Sequence, residues 1–412
     1  YQAQYREKVL EYNQDLKAAG YNEAKKQEMI KSARADFKPK LSAGGNFNYT
    51  GNPLELSIDL PSMSSPLYFQ GKDLKYGATL SLSQPIYTGG GIRANYQKAR
   101  KEKELASNES NRIKSNTLHD ADIYYWNAVA QHELVFVAQA FRTSIQQLVD
   151  VVHHRVEVEY IDRNDLLMAE VKLNDADFQL LQTRDNAEIA RLALNSFAGV
   201  NPSDTLPIDH SVIALKQFIP LSDAIDNAIT SRPEYRIAQN KIELQESSRK
   251  IADARFLPQF HIGVDGSYSS PGYNFKSDLD PNYAIYAKLS IPLFEWGKRK
   301  STRNASSYAI NMAQQNLSKA QDKIRLEIQT AHYNYKQAID KVKLTESSLS
   351  KASESEQMAM ERYKEGNVSI VEVINAQLYH QQAQVNYIQS KLNAQMAKTD
   401  FERAIYYLRE KE

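Results

Sequence analysis

The feature that most constrains this chain is a stretch that no compact domain can absorb. From Lys298 to Glu365 there is neither proline nor glycine, and Ile324, Ile328, Ala331, Tyr335, Ala338, Val342, Thr345, Leu349 and Ala352 recur in alternating steps of four and three. That spacing is the seam of a coiled coil. At 1.5 Å per residue such a helix is about 100 Å long. Just before it, Tyr283, Ile285, Ala287, Leu289 and Ile291 fall on one side of a period-two pattern, and Pro292-Leu-Phe-Glu-Trp-Gly297 stops that strand. One short strand therefore feeds one very long helix.

The rest of the chain reads as this unit, a copy of it, and connecting pieces. Residues 1–220 form the first repeat. It has an opening helix to about residue 36, strands at 41–50 and 76–86 around a long loop (51–75), a long helix at 92–158, a return helix at 164–198 and a linker at 199–220. Residues 221–412 form the second: a helix to Arg255, strands at 259–268 and 283–291, a long helix at 298–364 and a return helix at 369–410. The copies align at Phe37-Lys-Pro39 with Phe256-Leu-Pro258, Leu82-Ser-Gln-Pro85 with Leu289-Ser-Ile-Pro292, Trp126-Asn127 with Tyr333-Asn334, and Arg155 with Arg362. A tandem repeat of this size outweighs any single motif.

Each predicted strand has an apolar side free of charge: Leu41, Phe47 and Tyr49; Leu80 and Leu82; Ile262 and Val264; Tyr283, Ile285 and Leu289. The other sides are small or polar. Length and dyad pattern fit tilted transmembrane β-strands, with these ten residues facing lipid. The aromatics at the strand ends, Tyr49, Tyr76, Tyr87, Tyr268, Tyr283, Phe294 and Trp296, suit interfacial girdles. A half-buried soluble sheet would alternate too, but helices that run away for about 100 Å cannot cover one. Four strands do not close a membrane barrel, and open edges are not tolerated in lipid. The barrel is therefore expected to be shared between subunits.

The bulk numbers agree. The formal net charge is +1, against general nucleic-acid binding. There is no cysteine, which removes disulfides, thiol nucleophiles and thiolate metal sites. No run of 18 apolar residues offers a transmembrane helix. Tyr1 opens directly into a helical pattern, with no signal peptide in view.

Three local stretches, Ala252-Asp-Ala-Arg-Phe-Leu-Pro258, Leu289-Ser-Ile-Pro-Leu-Phe-Glu-Trp-Gly297 and Arg362-Tyr-Lys-Glu-Gly-Asn-Val-Ser-Ile-Val-Glu-Val-Ile-Asn-Ala376, resemble the TolC-type outer-membrane factor family. The resemblance covers nearly the whole chain. It implies a mixed α and β membrane protein in which a long-helix α-barrel, a coiled-coil tunnel, continues a transmembrane β-barrel. Each chain contributes four strands, twelve in a homotrimer. It implies an exit duct of a tripartite efflux pump or type I secretion system in the outer membrane of a diderm bacterium, extending into the periplasm. Its partners would be outer-membrane lipid, a periplasmic adaptor and, indirectly, an inner-membrane transporter. A mixed belt would include residues 199–220 and the C-terminal end. The alternative is a soluble coiled-coil adaptor or structural scaffold, which explains the seams but not four matched amphipathic strands.

Catalytic chemistry finds no footing, and neither catalytic residues, cofactors nor metals are expected. His153-His154 point to different helix faces, and His132-Glu133 lacks the second histidine of a zinc-protease helix. Gly89-Gly-Gly91 lacks the lysine of a phosphate loop and reads as a strand-to-helix corner. Asp278 and Asp280 are too few for a cation site.

The helix breaks carry the functional candidates. Asp165 and Glu372 correspond across the repeat, and three subunits would place a ring of carboxylates at a tunnel mouth, where such rings favour cations. The resemblance implies a second acid one turn later, where this chain has Asn375. Both acids also suit ordinary first-turn positions, favoured by the helix dipole. Arg155, Arg362 and Tyr363 are candidate groups for holding the entrance shut. Adaptor docking is expected at Tyr160, Ile161 and Asp162 and at Gly366, Asn367, Val368 and Ser369. Glu159 stands where the second copy has Gly366.

Overall fold

In the computed structural model the described residues are 1–215, 225–273, 276 and 278–406. The predicted linker residues 216–220, helix start 221–224 and C-terminal stretch 407–412 lie outside them. The elements are α1 (Gln2–Tyr12), α2 (Gln14–Ala35), β1 (Lys40–Tyr49), β2 (Glu55–Ile58), β3 (Leu67–Gln70), β4 (Leu74–Thr88), α3 (Gly91–Glu157), α4 (Arg163–Phe197), α5 (Ile225–Ser231), α6 (Pro233–Ala254), β5 (Gln259–Ser270), β6 (Asp280–Ser290), α7 (Lys298–Lys364) and α8 (Ile370–Ala404). Every bound of α7 and α8 lies 207 residues beyond its counterpart in α3 and α4.

Contacts divide the chain into two compact units that cut across this repeat. One comprises Tyr1–Asn22, Ser107–Ala238 and Leu317–Glu412, the other Glu23–Ala106 and Gln239–Asn316. The second unit holds the sheet. Its strand order is β1-β4-β5-β6, antiparallel throughout. The register pairs Leu41 with Leu82, Leu82 with Val264 and Val264 with Ile285. Phe47 pairs with Tyr76, Gly266 with Tyr283 and Phe260 with Leu289. Directly paired residues share a face, so all ten residues expected to face lipid stand on one side. Ser42, Ser81, Asp265 and Ala284 pair across the other.

The structure corrects the sequence reading in three places. Residues 51–75 are not a plain loop, because β2 and β3 form a second hairpin, with Leu56 opposite Phe69 and Ile58 opposite Leu67. β4 continues past Pro85 to Thr88 because a register shift between Pro85 and Tyr87 accommodates the ring, as bulges do. The opening helix breaks at Asn13, whose side-chain oxygen accepts the Leu16 amide at 3.0 Å and restarts the helix as α2.

The first unit is helical. On α7, the seam residues Ile324, Ile328, Ala331, Tyr335, Ala338 and Val342 are buried, joined by Ala394, Ala397 and Phe401 of α8. On α3, Ala121, Tyr125, Trp126 and Val129 form the corresponding core with Tyr5 and Val9 of α1, Leu194 of α4 and Leu392 of α8. Polar groups fix neighbouring segments to these cores. Lys391 is buried and donates to Glu133 at 2.6 Å, and the other Glu133 oxygen accepts the Val212 amide at 2.8 Å. Arg232 donates to the carbonyls of Arg403 and Ala404 at 3.0 and 2.9 Å, capping the last turn of α8.

Candidate functional site at the helix breaks

Both breaks are built the same way. After α3, the Tyr160 amide donates to the Arg155 carbonyl at 2.9 Å and the Glu159 amide to the Val156 carbonyl at 3.0 Å. After α7, the Asn367 amide donates to the Arg362 carbonyl and the Gly366 amide to the Tyr363 carbonyl, both at 2.9 Å. These are two Schellman motifs, which require a left-handed residue at the turn. Gly366 meets that need at φ 79°; Glu159 adopts φ 56° and closes the same turn with a side chain in place. The next helices start at Asp162 and Ser369. Asp162 accepts the Asn164 amide at 2.7 Å, while Ser369 makes no side-chain cap.

A small apolar core holds the two breaks together. Val152 of α3, Ala169 of α4, Tyr363 of α7 and Val373 of α8 are buried in one cluster, with Ile161 and Val368 packed against it. Arg155 crosses between the copies. Its guanidinium donates to the Lys364 carbonyl at 2.8 Å and lies 4.7 Å from the Tyr363 ring centroid and 5.5 Å from that of Tyr160. Such stacking is worth about 0.5–2 kcal/mol. Burial pushes the Tyr363 hydroxyl above its ordinary range, Arg155 opposes that shift, and Asp165 adds to it.

The candidates named from the sequence thus separate. Arg155, Tyr160, Tyr363, Ile161 and Val368 come together. Asp165 is half-buried in the first turn of α4, whereas Glu372, Asn375, Arg362, Gly366, Asn367 and Ser369 are exposed. One lining escaped the sequence reading: beyond the breaks, α4 and α8 present an open groove of about 520 Å³ between Leu167, Met168, Val171, Val371 and Ile374, with Asn375 at its side. The signal for it was there in the apolar residues that α4 carries outside its buried positions.

The arrangement ties the two breaks together through Arg155 and leaves most residues of both turns exposed. Among the described residues no cluster of three or more histidine, aspartate or glutamate side chains could hold a metal, and no helix is long and apolar enough to cross a membrane.

Comparison with known proteins gives the frame. The outer membrane efflux protein family model matches residues 6–200 and 224–405. The solvent efflux pump outer membrane protein SrpC of Pseudomonas putida is 24% identical over 299 residues, 71% of this chain and 61% of that protein. The outer membrane efflux protein BepC of Brucella suis is 21% identical, over 72% of this chain and 65% of its own length. The matches thus span less than two thirds of these curated relatives. Among solved structures, the Campylobacter jejuni CmeC outer membrane channel superposes with a TM-score of 0.79 at 18% identity, over 98% of this chain and 85% of that one. The open-state Neisseria gonorrhoeae MtrE outer membrane channel gives 0.79 at 18%, over 98% and 88%. At such identities the structures report the fold, a TolC-like channel of mixed α and β construction, and the family model extends over both halves of the chain: this protein belongs to the outer membrane efflux protein family.

Proposed function

We propose that the chain is the outer-membrane exit duct of a tripartite efflux pump, conducting its cargo passively from a periplasm-spanning assembly to the outside. The observation that carries this reading is the sheet. It has one uncharged apolar face, one polar face, and two edges, β1 and β6, without a partner strand among the described residues. In lipid an open edge is prohibitive, since each unpaired backbone group costs several kcal/mol. Pairing β6 of one copy with β1 of the next removes both edges, and three copies give a barrel of twelve strands. Residues 1–220 and 221–412 then act as quasi-equivalent halves, each supplying strands to the barrel and a helix pair to the tunnel.

In this reading, Leu41, Phe47, Tyr49, Leu80, Leu82, Ile262, Val264, Tyr283, Ile285 and Leu289 face lipid. Asp165 and Glu372 line the entrance, with Asn375 one turn inward. Arg155 and Tyr363 hold the breaks together, and Arg362 is free to bond a neighbouring copy. The turns Tyr160 to Asp162 and Gly366 to Ser369, exposed except at Ile161 and Val368, meet a periplasmic adaptor, beyond which an inner-membrane transporter supplies the energy. Nothing in this assembly calls for catalysis.

The test is the mass of detergent-extracted protein, by light scattering corrected for detergent, followed by conductance in a planar bilayer. A trimer that conducts supports the duct. A monomer or dimer stable without detergent overturns it in favour of a soluble coiled-coil scaffold.

A further inference from the structure

The corner between β6 and α7 differs from its counterpart between β4 and α3 in a way the duct itself does not require. In the first copy this corner is made by Gly89 and Gly90, at φ 62° and 82°. In the second, the same two left-handed slots, at φ 48° and 78°, hold Trp296 and Gly297. A bulky residue at positive φ is strained where glycine is not, and such strain gathers at functional sites. The tryptophan is not placed there to fill a core. It is 90% exposed, as is Leu293 at 91%, and its ring meets Phe294 edge-on at 4.9 Å.

Directly after this apolar knuckle come Lys298, Arg299, Lys300 and Arg303. Leu293, Phe294, Glu295, Gly297, Arg299, Lys300 and Arg303 line one open cavity of about 430 Å³. Glu295 is the single carboxylate of that lining, and its Oε2 is buried without a hydrogen-bond donor. The first copy keeps the apolar pair as Ile86 and Tyr87 and one cation, Arg93 in place of Lys300, but Thr88 stands in place of Glu295, Gly89 in place of Trp296, and Gly91, Ile92 and Tyr96 in place of Lys298, Arg299 and Arg303.

We propose that this corner is a binding site for a phosphatidylethanolamine headgroup of the membrane leaflet on the helix side of the barrel. The parts match one to one. The cations of the first turns of α7 suit the phosphate, the half-buried Glu295 carboxylate, turned toward the cavity it lines, accepts from the ammonium, and Leu293, Phe294 and Trp296 lie along the upper acyl chains as interfacial aromatics do. The site rests on the proposed membrane orientation: no described helix can cross a membrane, so the end of β6 that leads into α7 is the end that leaves the lipid. A second copy explains the corner less well. Its β1, which would pair with β6, begins at Lys40 behind Lys38, with Asp36 already paired to Lys40 at 3.1 Å, so it brings positive charge to a positive surface. A phosphate between them relieves that repulsion.

The experiment uses the intact protein in nanodiscs and the emission of Trp296. The chain has two tryptophans, and the other, Trp126, is buried in the helical core and supplies a constant background measured with Trp296→Phe. Phosphatidylethanolamine brominated on the acyl carbons nearest the headgroup, diluted into phosphatidylcholine, should quench Trp296 more strongly than the converse mixture. Glu295→Ala should abolish that preference, because it removes the acceptor and only the ethanolamine ammonium has a proton to give it. Arg299→Glu with Lys300→Glu and Arg303→Glu should lower quenching in both mixtures. Equal quenching by the two lipids in the unaltered protein overturns the proposal. A reporter on the barrel face at the headgroup level, Leu289→Trp in the Trp296→Phe background, separates the two levels of inference. If it is quenched while Trp296 is not, another copy covers the corner and the headgroup site is wrong. If neither is quenched, the membrane orientation and the site fall together.

Discussion

The assignment of sheet faces can be tested on two adjacent residues. Ile285 is the middle residue of β6, five positions from either end, and its side chain is 76% exposed on the apolar face. At about 3.4 Å per residue, five positions span roughly 17 Å. With a strand tilt near 40° that is roughly 13 Å along the membrane normal, half of an apolar band about 25 Å tall. In the proposed barrel Ile285 is therefore at the midplane, where arginine costs about 2–4 kcal/mol per chain. Its neighbour Ala284 lies on the opposite face, paired with Asp265, and in the proposed barrel arginine there points into the lumen, beside a carboxylate. Ile285→Arg should thus lose roughly 30-fold to several hundredfold in the folded-to-unfolded ratio, at 1.4 kcal/mol per tenfold. Ala284→Arg should lose less than about tenfold, as lumen substitutions do. The assay is reversible folding into lipid vesicles with urea titration, each variant compared at equal lipid. Equal costs at the two positions would mean that the faces are not distinguished by lipid. A larger cost at Ala284 would mean that they are reversed.

Four further outcomes follow from the helical unit. Arg155→Ala removes a hydrogen bond and one ring contact between the breaks and a second ring contact within the first, worth about 1–3 kcal/mol together; amide exchange at residues 158–162 and 365–369 should accelerate, and unchanged exchange would discard the latch. Lys391→Ala leaves the partly buried Glu133 with the Val212 amide alone and should cost about 1–3 kcal/mol in urea unfolding, whereas Lys391→Met combined with Glu133→Gln should cost less; equal costs would contradict the burial penalty. At His119, burial opposes the charged ring, but Asp400 at 2.6 Å and Asp120 at 3.0 Å outweigh it and hold the ring above its ordinary value. Its stabilisation is complete below the unfolded value, about 6.5, and is lost as pH rises through the raised folded value; a urea midpoint whose pH dependence there is unchanged by His119→Gln would refute the pairing. Asp165→Ala with Glu372→Ala should lower the cation preference of the proposed duct, and unchanged ion selectivity would remove both from the entrance.

Patterns of period two and of four-and-three steps survive any tertiary context, because they follow from where successive side chains point along a strand or a helix. That is why the strand faces and the α7 seam were legible residue by residue, from Ile324 to Val342 and from Leu41 to Leu289. The absence of glycine and proline between Lys298 and Glu365 likewise sets the length of α7. Turn chemistry was readable where glycine marks it, at Gly366, and obscure where Glu159 takes the same left-handed conformation, because the cost of placing a side chain there is met by the Schellman bonds around it. The β2–β3 hairpin was hidden by the prolines that flank it, Pro53, Pro61 and Pro66, which read as loop until the pairing of Leu56 with Phe69 is seen. Contacts between distant residues had no local signal at all. Arg155 meets Lys364, His119 meets Asp400 and Lys391 meets Glu133 because two copies of a helix pair lie side by side, and a polar residue in a heptad looks the same whether solvent or a buried partner awaits it. Local geometry along the chain repeats by steric rule and so can be read from residue order; the partner of a charged group depends on which surfaces the fold brings together, and that is a property of the packed chain.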